Sequence, residues 1–150
     1  MKVTRLEDIR RWRRYLHKNP ELSQKEYKTA AYIRAELDKM GLTYDTCLDT
    51  GTIVYIDGGS QDTIILRADI DALPIREMNE IDFKSENDGV MHACGHDAHA
   101  SMLLGAIKEI LDLKESGGLR VNVLGVFQPS EESFGGALSL IHISEPTRQA

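Results

Sequence analysis

Hydrophobic positions along this chain change period several times, and each change marks an element. Leu6, Ile9, Arg13 and Leu16 recur at helical spacing, with Trp12 and Tyr15 beside them, which predicts a first helix. Thr4-Arg5-Leu6-Glu7 reads as a capping box at its start. Asn19-Pro20 stops it, because the residue before a proline disfavours the α region. Ser23-Gln24-Lys25-Glu26 reads as a second capping box; Tyr27, Ala30, Ile33, Leu37 and Met40 follow on one face, and Gly41 stands where a C′ glycine belongs. The period then shortens. Thr52–Ile56 is a β-branched and aromatic run closed by Asp57-Gly58-Gly59. Thr63–Arg67 is a second strand leading into Ala68-Asp69-Ile70-Asp71, and Pro74 limits its extension. Residues 76–91 form a polar connection. A third helix starting at Asp97 or Ser101 carries Leu103, Leu104, Ile107, Ile110 and Leu111 and ends at Gly117-Gly118. Leu119–Phe127 is almost continuously apolar, the signature of a strand buried on both faces. Strands alternating with helices predict an α/β layered domain with a mainly parallel sheet.

Composition narrows the function classes. At 150 residues the chain is one domain or part of a larger one. Hydrophobic residues at 41% and charged residues at 28% make a globular mixture, not a disordered one. No apolar run is long enough to span a bilayer, and the start Met1-Lys2-Val3-Thr4-Arg5 leads into charge instead of an apolar leader. The two cysteines, Cys47 and Cys94, make no disulfide framework, so a reducing, cytoplasmic setting is expected. Eighteen Lys and Arg against 24 Asp and Glu give a net charge of −6, which argues against nucleic acid as a partner. The cluster Arg5, Arg10, Arg11, Arg13 and Arg14 has no aromatic interleaving and reads as a solvated helix face.

Three stretches carry candidate chemistry. Asp69 and Asp71 stand two apart at the end of a predicted strand, where residues of that spacing share a face and open α/β sheets bind ligands. A polar loop would read the same way. His92-Ala93-Cys94-Gly95-His96-Asp97-Ala98-His99 is denser. A thiolate and an imidazole two apart can converge on one cation such as Zn²⁺, and Asp97 or another carboxylate can fix an imidazole tautomer. A nucleophilic Cys–His pair is the alternative, but no third triad member is evident. Glu131-Glu132 follows the buried strand after Gln128-Pro129-Ser130. One carboxylate can bind metal while its neighbour takes a proton from water, the division of labour that metal hydrolysis needs. An acidic helix N-terminus is the plainer reading of a bare Glu-Glu.

The order of the motifs is decisive. Arg67-Ala68-Asp69-Ile70-Asp71-Ala72-Leu73-Pro74, then Met91 through His99, then Phe127-Gln128-Pro129-Ser130-Glu131-Glu132, closely resembles the amidohydrolase branch of the aminoacylase and carboxypeptidase-G-like metallopeptidases. That branch includes hippurate hydrolase, the indole-acetyl-amino-acid hydrolases and N-acetyldiaminopimelate deacetylase. Arg14-Tyr15-Leu16-His17, Pro20-Glu21-Leu22, Glu26 and Asp49-Thr50-Gly51 fit as well, and the resemblance covers residues 5–137. It implies the N-terminal part of a three-layer α/β/α catalytic domain of zinc-peptidase type, with a mixed, mostly parallel sheet. It implies Cys94, His96 and Glu132 as metal ligands, Glu131 as general base and Asp69 as a supporting acidic residue. His92, Asp97 and His99 match motif positions around them. Two divalent ions, Mn²⁺ or Zn²⁺, are the implied cofactors, and a small N-acyl amino acid is the implied substrate. The runner-up readings are N-acetyldiaminopimelate deacetylation, a di- or carboxypeptidase of the same superfamily, and a non-enzymatic metal-binding module.

The chain also departs from the resemblance. Members of the family are more than twice as long, with an inserted lid that makes a homodimer or homotetramer and two further ligand histidines downstream. Residues 1–137 are therefore expected to be an incomplete catalytic domain, inactive alone. Residues 138–150, with Leu138-Ser139-Leu140-Ile141-His142-Ile143-Ser144-Glu145-Pro146-Thr147-Arg148, read as the in-frame translation of a transposase-based sequencing adapter. No function is expected of His142, Glu145 or Arg148 in that tail.

Overall fold

A computed structural model describes residues 3–133 of the chain. The expected tail, residues 138–150, lies outside the described residues, as do residues 134–137. The elements are α1 (Val3–Lys18), α2 (Tyr27–Lys39), β1 (Asp45–Cys47), β2 (Gly51–Ile56), β3 (Thr63–Asp69), α3 (His96–Glu115) and β4 (Asn122–Gln128). All three predicted helices and all three predicted strands are present. The short β1 is an addition, because three residues reading Asp-Thr-Cys carry no alternation to find.

The four strands form one sheet in the order β1-β2-β4-β3. β1 pairs with β2 and β2 with β4 antiparallel, and β3 pairs with β4 in parallel. The sheet is mixed, as expected, although antiparallel pairs outnumber the parallel pair among the described strands. A parallel pair needs a long crossover, and here residues 70–121 with α3 supply it. Period-two alternation points Val54, Ile56, Val123, Phe127 and Ala68 to one face, where they bury with Trp12, Leu16, Ile33, Leu37, Leu104 and Ile107 from the helices. Gly125 lies in this face, and a Cβ there would meet Val54 and Ile107 at 2.8 and 3.1 Å, so the small residue lets α3 approach the sheet. The opposite face carries Tyr55 and Ile65, both exposed, and half-buried Ile53 and Leu124. The described residues thus build two of the three expected layers, the sheet and one layer of helices.

Helix α2 ends as its sequence predicts. Gly41 takes φ +73°, its amide bonds Asp38 O, and Leu42 N reaches back to Leu37 O. Its start does not. The Ser23–Glu26 stretch makes no capping box, for Glu26 stands at the N-cap without a side-chain cap bond. Instead Glu21 accepts from the Lys28 and Thr29 amides at 3.2 and 2.8 Å. Ser23 and Glu26 are turned toward the ends of β3 and β4.

Candidate metal centre

The ends of the parallel pair and the start of α3 meet at one place. β3 ends at Asp69 and β4 at Gln128; the chain runs on outside helix and strand through residues 70–95 after β3 and through the described residues 129–133 after β4. Gly95, at φ +89°, turns the chain into α3, so that His96 is the first residue of the helix. Ligand sites of open α/β sheets lie at this end of the strands.

Three of the expected ligands converge. One donor atom each from Cys94, His96 and Glu132 lies within 4.8 Å of the others. Cys94 Sγ is 2.5 Å from Glu132 Oε1, and His96 Nε2 is 3.9 Å from the same oxygen. The imidazole is oriented from behind. His96 Nδ1 lies 2.8 Å from the backbone oxygen of Asp71, which can only accept, so Nδ1 carries the hydrogen and Nε2 faces the carboxylates. Metal-binding imidazoles are typically held in this way. A thiolate, an imidazole and a carboxylate suit a borderline transition ion such as Zn²⁺, so the donor set fits the implied cofactor.

Charge around the site favours a cation. The hydrogen bond to Glu132, burial and the surrounding carboxylates push the Cys94 thiol up to about 11. Asp71 beside it raises His96 to about 9 against the opposing effect of burial. Burial alone would raise Asp71, but hydrogen bonds from His96, Ser23 and the Glu132 and Glu131 amides outweigh it and hold the carboxyl at about 2. The upward shifts of Cys94 and His96 report negative potential at the ligands, which a bound divalent ion would offset, whereas the donors around Asp71 keep that carboxylate ionised.

The other candidates fall in different places. Glu131 is exposed, with Oε2 4.0 Å from His96 Nε2. Asp69 pairs with Arg67, whose Nη2 is 2.7 Å from Oδ1, while fully buried Asp71 reaches the ligands. β3 ends at Asp69, so Asp71 lies beyond the strand in the irregular segment; Asp71 bonds His96 directly, and Asp69 adds negative charge felt by the same imidazole. Asp97 does fix an imidazole, but it is that of His17, with Oδ2 2.8 Å from His17 Nδ1 and 3.0 Å from Arg13 Nε. His17 Nε2 meets Glu77 at 2.9 Å. His92 is buried, which holds it down at about 4, and neither ring nitrogen has a partner among the described residues. His99 is exposed one turn along α3, its ring centroid 6.4 Å from that of His96. The sequence assigns no role at the site to His17 or Glu77, and Ser23 reads there only as part of a capping box. His17 stood in a quoted motif, which was the available signal.

The fold and this donor cluster define a hydrolase domain of metallopeptidase type, and comparison with known proteins agrees. Residues 65–149 match the model of peptidase family M20/M25/M40, and the chain belongs to that family. It is 51% identical over 139 residues to an uncharacterized hydrolase of Staphylococcus saprophyticus, and 48% identical to one of Staphylococcus aureus. Each alignment covers 93% of this chain and 36% of the relative, so the chain spans about a third of their length. The crystal structure of the YxeP protein of Bacillus subtilis, a dinuclear metal-binding peptidase of the M20 family, superposes with a TM-score of 0.87. The identity there is 36%, over 95% of this chain and 40% of that one.

Proposed function

We propose that the chain forms the N-terminal part of the catalytic domain of a cytoplasmic amidohydrolase that uses two divalent metal ions to cleave N-acyl amino acids. The observation that carries this reading is the convergence of Cys94, His96 and Glu132 within 4.8 Å, with His96 Nε2 turned inward. The dinuclear character of the YxeP relative supports a second ion, with further ligands from outside this chain. Cys94, His96 and Glu132 would hold one ion. When bound, such ions polarise the amide carbonyl and acidify a water. Glu131 would serve as the general base, taking a proton from water and passing it to the leaving amine, for which its exposure and nearness to His96 suit it. Asp71 holds His96 through its carbonyl and the Glu132 amide through Oδ2, at 3.0 Å. Asp69, paired with Arg67, supports the site from the end of β3. Products are a carboxylic acid and a free amino acid.

The test is turnover of hippurate, N-acetyl amino acids, N-acetyldiaminopimelate and dipeptides with added Mn²⁺ or Zn²⁺. A protein of the relatives' full length should hydrolyse an acyl amino acid and lose the activity to a chelator. Glu131→Gln in it should lower kcat at least 100-fold, the lower end for general acid–base catalysis of about 10²–10⁴-fold. The 150-residue chain alone should show none. Preference for the diaminopimelate or dipeptide substrates would replace the substrate assignment; metal-independent turnover would sink the mechanism.

A further inference from the structure

Glu26 has no part in the chemistry just described, yet it is fully buried beneath the site. A buried carboxylate is costly unless both oxygens are satisfied. One accepts from the Thr50 hydroxyl at 2.9 Å and the other from the Ser130 amide at 2.9 Å. Ser130 stands immediately before Glu131 and Glu132. It has φ +56°, a left-handed conformation that a residue with a side chain keeps only when its surroundings impose it. A second grip acts on the same residue, since the Gln24 amide donates to Ser130 Oγ at 2.9 Å. A third acts two residues on. Ser23 Oγ donates to Asp71 Oδ2 at 2.6 Å, and that oxygen also accepts the Glu132 amide at 3.0 Å. The Ser23–Glu26 segment therefore clasps the strand-to-loop turn that presents the Glu-Glu pair.

We propose that Glu26 is a positioning residue: by holding the Ser130 amide it fixes the left-handed turn that aims Glu132 at Cys94 and His96. The inference rests on the ligand set of the proposed function. Without Glu26 the Ser130 amide would be buried with no acceptor, and the turn would relax toward a right-handed conformation. Relaxation at residue 130 redirects the two side chains that follow. The cost falls on metal affinity as well as on stability.

Cadmium titration of the 150-residue chain, read by the thiolate-to-metal absorption of Cys94, tests this without recourse to activity. Glu26→Ala should weaken cadmium affinity about 10–100-fold, the usual effect of removing support behind a metal ligand. Glu26→Gln should bring affinity back close to wild type, because its oxygen can accept from Ser130 while its NH₂ donates to the Thr50 hydroxyl. Thr50→Val removes the other partner of Glu26 and leaves Ser130 held; it should lower the melting temperature and leave affinity unchanged. If Glu26→Ala does not fold, Glu26→Asp keeps the charge, withdraws it from Ser130 by one methylene and should weaken affinity in the same direction. Equal affinity in wild type and the Ala or Asp variant overturns the inference while the ligand set stands. So does an equal loss in Thr50→Val, since stability alone would then govern binding. Absence of the thiolate band in a wild-type chain that unfolds cooperatively on heating, and in a protein of the relatives' full length, overturns the ligand set itself, and this inference with it.

Discussion

Gly95 separates the two candidate ligands of α3's approach, and it is the residue whose backbone the site can least afford to change. At φ +89° it sits where an L side chain is disfavoured by about 1–2 kcal/mol. A Cβ there would meet nothing within 4 Å, so the penalty of Gly95→Ala is one of conformation, not of packing. Its thermal unfolding should show a loss of about 1–2 kcal/mol, and a neutral result would mean that the turn is not strained. At this scale the sequence was most informative. Cys94, Gly95 and His96 are adjacent, and adjacency plus residue type was enough to mark them. Asp71 and Glu26 were visible in quoted motifs but not in their roles, because their partners lie 61 and 104 residues away. No local pattern encodes contacts of that separation.

Among the elements, the connection between β3 and α3 carries two buried carboxylates, Asp71 at the candidate site and Glu77, which ties its middle to α1. Leu73 pairs with Met91 across this segment, and Glu77 anchors it to α1 through His17. Burial would raise Glu77, but hydrogen bonds from His17, the Ser85 amide and Asn79 outweigh it and hold the carboxyl at about 2, below its ordinary 4.5. A group lowered in the fold stabilises it above the unfolded value, and this stability is lost as pH falls through the folded value. The segment should therefore detach between about pH 4.5 and pH 2, seen as accelerated amide exchange over residues 70–95. Glu77→Gln should be less stable at neutral pH and lose less across that interval; an unchanged acid profile would show that Glu77 is not the controlling group. Element identity was legible in the periodicity, and so were most boundaries. The start of α2 was not, because Ser23-Gln24-Lys25-Glu26 satisfies the pattern of a capping box while its side chains find stronger use elsewhere.

The whole molecule shows a sheet with unequal faces. Tyr55 and Ile65 are 52% and 62% exposed on the face opposite the helices. Exposed apolar side chains on one face make a surface that can take up an apolar probe. The 150-residue chain should bind a hydrophobic dye there, and Ile65→Thr should reduce the binding while shifting stability by less than about 0.5 kcal/mol. No change in dye binding would place the exposed surface elsewhere. None of the described helices is long and apolar enough to cross a membrane.

The sequence by itself determined the three helices and the three longer strands and marked Cys94 and His96 as candidate ligands, since helical and strand periods, glycine stops and the Cys94–His96 spacing are all local properties. The tertiary structure alone decided which face of the sheet is covered, which of Asp69 and Asp71 reaches His96, and that Asp97 serves His17. It also decided that Ser23 and Glu26 hold the Glu131–Glu132 turn instead of capping α2. Each of those outcomes is a competition among polar groups for partners far apart in the chain. Burial settles it, because an unsatisfied buried group costs about 1–3 kcal/mol and the fold keeps the arrangement that leaves fewest of them.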